Sequence, residues 1–364
     1  MNETDLSVSI ANEIPSLHLT HRFPAGRTTA VVGPNGAGKT TMLRMIAGLL
    51  VGDSGTRITL GDNVFRDDRT SLPPHRRPVA LLSQEARLFP HLSVASNIAF
   101  APSAQRLPRA EVRDRVRRWM AATEVTDLAD RKPDQLSGGQ AQRVAIARAF
   151  AAEPRILLLD EPFRALDVDV ASRLRGLLRT LLADHERTTI MVTHDVLDAV
   201  GLADEIVVLD GGRLVESGST RAVLAGPTSR FAASLSGLNL FLGTMDTSGG
   251  VMDADGNRVV GMAAETLDPG TAAAAAFSPR AVAVYLQAPQ GSPRTTLRGV
   301  IRELEPRGDH ALLNADVEDQ TVAAEVTWAA VADLGLEIGL DVDLVVKANE
   351  VKIYGAASPV SSDH

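Results

Sequence analysis

The 364-residue chain has no cysteine. Disulfides, thiolate nucleophiles, Cys-ligated zinc and iron–sulfur clusters are thereby excluded, and the absence fits a reducing compartment. Lysine is scarce as well. Of 37 basic residues only Lys39, Lys132, Lys347 and Lys352 are lysines. Long apolar runs are missing: ILLL at 156–159 and AAAAA at 272–276 fall far short of the ~20 residues a helix needs to cross a bilayer. The opening MNETDLSVSI has neither a basic nor an apolar region of the kind a signal peptide needs, so none is expected. A basic patch is also lacking. Residues 239–364 hold 8 basic and 18 acidic side chains, a net −10, which leaves +2 for residues 1–238 of the chain's −8. Nucleic acid calls for clustered Lys and Arg against phosphate, so no nucleic-acid partner is expected.

The chain does have a clear strand and helix rhythm. RTTAVV at 27–32 is β-branched and apolar, a glycine-rich turn follows, and TTMLRMIAGLL repeats its apolar positions at helical spacing. ILLLD at 156–160 reads as a buried parallel strand. TTIMVTHD at 188–195 and EIVVLD at 205–210 add strands between helices near 168–183 and 196–202. That alternation predicts an α/β parallel sheet. Between about 85 and 150 the pattern turns helical, with RAEVRDRVRRWMAAT and AQRVAIARAF as the clearest segments. After about 238 it changes to short alternating stretches split by Gly, Pro and Asp, which predicts a small all-β barrel or sandwich. The expected domains are 1–235 and 239–364, and the final SPVSSDH is expected to fray.

The sharpest chemical signal is Gly33-Pro34-Asn35-Gly36-Ala37-Gly38-Lys39-Thr40, followed by Thr41, set between a strand and a helix. This is a phosphate-binding loop. Backbone N–H groups and the positive helix end attract phosphate, Lys39 neutralises β/γ-phosphate charge, and the Thr40 hydroxyl ligates Mg²⁺. In a chain that otherwise uses arginine, a lysine here meets a need for a compact point charge. The ILLLDEP segment ends in paired carboxylates: Asp160 suits Mg²⁺, and Glu161 suits orienting and deprotonating a water. A second anion-binding helix start is Ser137-Gly138-Gly139-Gln140. One nucleotide could use both cradles in a head-to-tail homodimer.

These motifs in this order resemble the ATP-binding subunits of ABC transporters, over about residues 1–230. Leu136-Ser137-Gly138-Gly139-Gln140 matches the family's signature motif. The resemblance implies a P-loop NTPase (RecA-like) core with a helical subdomain, ATP and Mg²⁺ as cofactors, and membrane permease subunits as partners at the cytoplasmic face of the cell membrane. It implies that Gln84 contacts Mg²⁺ and couples to the membrane subunits, that Asp167 belongs to the D-loop, and that His194 touches the γ-phosphate beside Lys39 and Glu161. On its own His194 is a lone histidine at a strand end, with a structural role as its ordinary reading. Two departures stand out. Only Phe23, His18 and His21 are available where an aromatic stacks on adenine, with a place in the core as the alternative for Phe23, and Arg164 replaces the D-loop's usual small residue.

Residues 295–354 resemble a molybdate-binding-type (Mop, TOBE class) OB-like barrel, with the module at about 293–355. QEARLFPHLSV resembles the Q-loop region of molybdate importers. The resemblance implies the ATPase of a molybdate (or tungstate) importer, with an extracytoplasmic molybdate-binding protein as a further partner. Sulfate/thiosulfate or ferric-iron import, and a soluble ABC-type ATPase unconnected with transport, are the alternatives. Ser292-Pro293-Arg294-Thr295-Thr296 and Lys347-Ala348-Asn349 are candidate oxyanion contacts of the second domain, against an alternative of a purely architectural barrel.

Overall fold

The computed structural model describes residues 5–164, 166–185, 187–289, 291 and 294–356, and it divides into two units, Met1–Thr220 and Arg221–His364. In the first, strands β1 (Leu6–Asn12), β2 (Leu17–Phe23) and β3 (Thr28–Val32) precede helix α1 (Lys39–Ala47). Strands β4 (Arg57–Leu60), β5 (Asn63–Arg66) and β6 (Val79–Leu82) lead to helices α2 (Val94–Ala104), α3 (Arg109–Ala122) and α4 (Gly138–Ala151). The remainder is β7 (Ile156–Asp160), α5 (Val168–Leu182), β8 (Thr188–Val192), α6 (Val196–Leu202), β9 (Glu205–Asp210) and β10 (Arg213–Ser219).

Ten strands form one sheet in the order β5-β4-β1-β2-β10-β9-β3-β8-β7-β6. From β9 to β6 every pairing is parallel. Strands β3 and β8 are buried at every residue, as a parallel strand covered on both faces must be. The β1, β2, β4 and β5 end is antiparallel. There β1 alternates strictly between buried and half-buried positions, so Leu6, Val8 and Ile10 join Met42, Leu43, Ile46 and Leu158 in the core. Helices α2, α3 and α4 pack on one another as a separate helical layer. Residues 85–93, inside the expected helical region, form no helix, and α2 starts only where Ser93 caps it by accepting from the Ser96 N–H.

Helix α7 (Thr220–Ala225) follows β10, and α8 (Arg230–Leu235) precedes the strands of the second unit: β11 (Asn239–Met245), β12 (Gly250–Met252), β13 (Arg258–Val260), β14 (Met262–Ala263), β15 (Ala272–Phe277), β16 (Val282–Tyr285), β17 (Thr295–Arg307), β18 (His310–Val317) and β19 (Gln320–Thr327). Helix α9 (Trp328–Leu334), β20 (Asp341–Val346) and β21 (Lys352–Gly355) complete it. One sheet runs β13-β12-β11-β15-β21-β14 and the other β16-β20-β17-β18-β19. Phe241, Phe277, Leu297, Leu313 and Ile353 fill the shared core. The alanine run at 272–276 is strand β15, held between β11 and β21 with Ala273, Ala274 and Ala275 fully buried. Alanine favours helix in isolation, but two ladder partners and burial on both faces decide here. The tail SPVSSDH lies outside the described residues.

Candidate functional site

The glycine-rich turn leaves the C-terminal end of β3, between β9 and β8 in the parallel strands, where ligands collect in open α/β sheets. Gly33 has φ +148°, and a Cβ there would lie 1.9 Å from the Leu209 carbonyl oxygen of β9. Only glycine fits. Gly36 and Gly38 also have positive φ, at +84° and +91°, which turns the loop so that α1 starts at Lys39 with no side-chain cap on its N–H groups. Lys39 is buried, and its Nζ donates to the carbonyls of Gly33 (2.7 Å) and Pro34 (2.8 Å). Burial pushes its pKa down, against the opposing pull of the Glu161 and Asp160 carboxylates. The ammonium therefore sits inside the loop that it would serve. Pro34, Asn35, Ala37 and Thr41 complete the turn and first helical residues, and Asn35 is exposed.

Parallel pairing carries Asp160, at the tip of β7, level with Val192 on β8. The Thr40 hydroxyl donates to Asp160 Oδ1 at 3.1 Å. Burial raises the Asp160 carboxyl above its usual range, which the Thr40 hydrogen bond only partly offsets. A desolvated carboxylate beside a hydroxyl is a hard-oxygen donor pair, the chemistry of a Mg²⁺ site completed by water and phosphate oxygens. Among the described residues no cluster of three or more His, Cys, Asp or Glu forms a metal cage.

Glu161 follows in the left-handed region at φ +47°, pinned by its N–H, which donates to the Val192 carbonyl at 3.0 Å. Its Oε2 stands 3.7 Å from His194 Nδ1 and accepts from Arg164 Nη1 at 3.0 Å. With its amide oriented by the hydrogen-bond network, the Gln84 oxygen accepts from both Arg164 Nε and Nη1 at 2.8 Å. Glu161, Arg164 and His194 line a cleft of about 260 Å³.

Ser137, Gly138, Gly139 and Gln140 stand apart from this group. Among the described residues no hydrogen bond joins them to the glycine-rich loop, Asp160, Glu161 or His194. They close a capping box on α4: the Ser137 hydroxyl accepts from the Gln140 N–H at 3.3 Å, and the Gln140 side chain accepts from the Ser137 N–H at 3.0 Å. Ser137 and Gly138 are exposed, so this helix start faces away from its own chain's core. Asp167, at the start of α5, is exposed too and makes no cap hydrogen bond.

Phe23 cannot stack on a base: it is fully buried in the core against an edge-on His21 ring at 4.8 Å, and burial holds the His21 pKa down. His18 is half-exposed, 3.9 Å from Glu13. Sequence reasoning missed the residues that hold the site in place. The His194 turn rests on a buried triad in which Asp198 accepts from Thr193 Oγ1 (2.6 Å) and from Arg175 Nε (2.9 Å) and Nη2 (2.6 Å). Gln142 on α4 donates to the Pro162 carbonyl at 3.0 Å, tying the signature helix to the Glu161 turn. Arg148 donates to the Arg87 and Ala86 carbonyls at 3.0 and 3.2 Å and lies over the Phe89 ring, fixing the segment after Gln84. The pattern i, i+4 of an apolar helix interrupted by Gln142 and Arg148 was the one available hint.

In the second unit, Ser292 and Pro293 lie outside the described residues. Register sets Thr295 opposite Val346, so Arg294 precedes β17 and Lys347 follows β20 at the same end of that strand pair. Arg294, Lys347 and Asn349 are exposed, whereas the Thr295 hydroxyl is engaged by the Val260 N–H at 2.9 Å.

Residues 17–164 match the ABC transporter family and residues 291–353 the TOBE domain. The chain is 44% identical, over 98% of both sequences, to the molybdenum import ATP-binding protein ModC of Mycobacterium tuberculosis. It is 37% identical to the sulfate/thiosulfate import ATP-binding protein CysA of Burkholderia mallei, over 92% of this chain and 93% of that one. A similar solved structure is cbiO1 from Clostridium perfringens, part of the ABC transporter complex cbiONQ, with TM-score 0.55 and 30% identity, covering 60% of this chain and 90% of that one.

Proposed function

The chain belongs to the ATP-binding subunits of ABC transporters, and from that premise we propose that it is the ATPase of a molybdate importer. Its reaction is ATP hydrolysis. The observation that carries the cargo is likeness to a molybdenum import protein through both units, higher than that to a sulfate/thiosulfate importer of similar coverage. Tungstate, as a close chemical analogue, is the second oxyanion it would serve.

In the proposed cycle the triphosphate of ATP lies on Gly33–Thr41, with Lys39 exchanging its loop carbonyls for the β/γ-phosphates. Thr40, Asp160 and Gln84 would hold Mg²⁺, which when bound neutralises charge on the β/γ oxygens. The exposed Ser137–Gln140 helix start of a second copy covers the γ-phosphate, which gives each nucleotide two anion cradles. Glu161 takes a proton from the attacking water as the P–O bond to ADP breaks, and His194 donates to the γ-phosphate oxygens. Closure of the pair displaces the Gln84 segments, and the docked membrane permease subunits follow. The protein works at the cytoplasmic face of the cell membrane, with an extracytoplasmic molybdate-binding protein delivering the cargo. In the described residues no helix is long and apolar enough to cross a membrane. Arg294 and Lys347, exposed cations at the ends of β17 and β20 in an acidic unit, are the donors we assign to an oxyanion there.

Deleting the gene tests the cargo. Growth should fail on limiting molybdate, recover with excess molybdate, and be unaffected on limiting sulfate or iron; a sulfate-dependent defect would transfer the protein to the rival cargo. Calorimetric titration of molybdate into the protein should give heat that Arg294→Ala abolishes, and no heat would leave the second unit architectural.

A further inference from the structure

The sequence places a long cation, Arg164, three residues after the carboxylate assigned as general base. The Arg164 N–H donates to the Glu161 carbonyl at 3.1 Å, and this tight turn brings the guanidinium back over the carboxylate. Nη1 is 3.0 Å from Glu161 Oε2, and Nη1 with Nε engages the Gln84 oxygen at 2.8 Å. Gln84 leaves β6 and Glu161 leaves β7, its parallel neighbour, so one guanidinium bridges the loops after two adjacent strands.

Both of its partners have work to do in the reaction. A carboxylate oxygen already accepting from a guanidinium has that lone pair engaged and that face covered, so it is not free to accept from a water there. An amide oxygen held by two N–H donors is not free to serve another cation. The Arg164 side chain is 55% exposed, so water competes for it and the bridge is easily withdrawn.

We propose that Arg164 is a positioning residue that latches Gln84 to Glu161, restraining hydrolysis until movement of the Gln84 loop pulls the bridge apart. The latch rests on the reading of Glu161 as the base. It makes the position of the loop that faces the membrane subunits the condition for freeing the base, and so keeps basal turnover low.

Steady-state hydrolysis by the purified full chain tests it, with wild type, Arg164→Ser, Arg164→Lys and Glu161→Gln side by side. Arg164→Ser should raise kcat about two- to fivefold, the range that an exposed ion pair commands, with KM for ATP unchanged. Arg164→Lys, which keeps the charge but cannot span both partners, should fall between. In nucleotide-free protein, an arginine-selective ¹⁵N spectrum should show a protected Arg164 Nε–H that shifts in both Glu161→Gln and Gln84→Ala. An unchanged or lowered kcat in Arg164→Ser, or an Nε–H signal indifferent to Gln84→Ala, overturns the latch. Glu161→Gln separates the two readings. Persisting turnover there removes the base assignment, whereas lost turnover with an unchanged Arg164→Ser removes the latch alone.

Discussion

Asp198 anchors the turn that presents His194, and its replacement gives the most quantitative test of how the site is supported. The carboxylate is buried and accepts from Thr193 at 2.6 Å and from Arg175 at 2.9 and 2.6 Å, while the Arg175 side chain is 19% exposed. Removing one member of a fully buried pair costs about 3–5 kcal/mol, and partial access of water to Arg175 reduces that to about 2–3 kcal/mol. For a unit of this size each kcal/mol moves Tm by about 2–4 °C, so Asp198→Ala should melt roughly 4–12 °C lower. Asp198→Asn should lose much less. Burial holds the Asp198 carboxyl above its usual range despite Thr193 and Arg175, so the native state binds this proton better than the unfolded chain does. The sign follows: its contribution is complete below the ordinary value of 3.8 and fades as pH rises through the elevated native pKa. A neutral amide of the same shape keeps an oxygen acceptor for Arg175, which alanine does not. Differential scanning calorimetry at neutral pH, paired with kcat, is the assay. Asp198→Ala should also lower kcat about tenfold through a displaced His194, below the 10²–10⁴-fold that outright loss of an acid–base group costs. Equal melting of the Ala and Asn variants, or an Ala variant as stable as wild type, would mean that this triad does not hold the turn.

Glu161→Gln should retain ATP binding while turnover falls about 10²–10⁴-fold, the loss expected for a general base; phosphate release after rapid mixing measures it, and wild-type release would place the base elsewhere. Gly33→Ala forces a methyl into the Leu209 carbonyl and a non-glycine residue to φ +148°, so the protein should lose nucleotide binding and melt early, a cost of a few kcal/mol; normal retention on an ATP resin would contradict it. In the second unit, Arg258 and the N–H groups of Ser248 and Gly250 hold the Asp246 carboxyl well below the usual carboxylate range. Its contribution is therefore present at neutral pH and is lost only as pH falls below 3.8 toward that depressed value, so Asp246→Ala should destabilise by about 1 kcal/mol at pH 7, with the difference closing in strong acid.

The parallel strands were legible because burial on both faces writes an unbroken apolar word: ILLLD and EIVVLD coincide with β7 and β9. Helix α6 was equally plain, bounded by Asp195 as its cap. The alanine run of β15 was not, since its conformation comes from the strands on either side and alanine has no preference for them. The phosphate loop could be read because its chemistry is contiguous in sequence. Asp198, Gln142, Arg148 and the Arg164 bridge could not, since each acts on a segment brought close only by the sheet: Gln84 and Arg164 are far apart in the chain but neighbours across β6 and β7. Phe23 takes the core place that the sequence left open for it beside a role in stacking, and only the fold decides between the two.

In the proposed cycle each nucleotide is gripped by the glycine-rich loop of one copy and the Ser137 helix start of another. Mixing Lys39→Ala protein with Ser137→Glu protein tests it most directly. Each variant alone should be inactive. In a head-to-tail pair the mixture regenerates one intact site in mixed dimers, and should recover up to about a quarter of wild-type ATP hydrolysis. A mixture no more active than its components would contradict the claim.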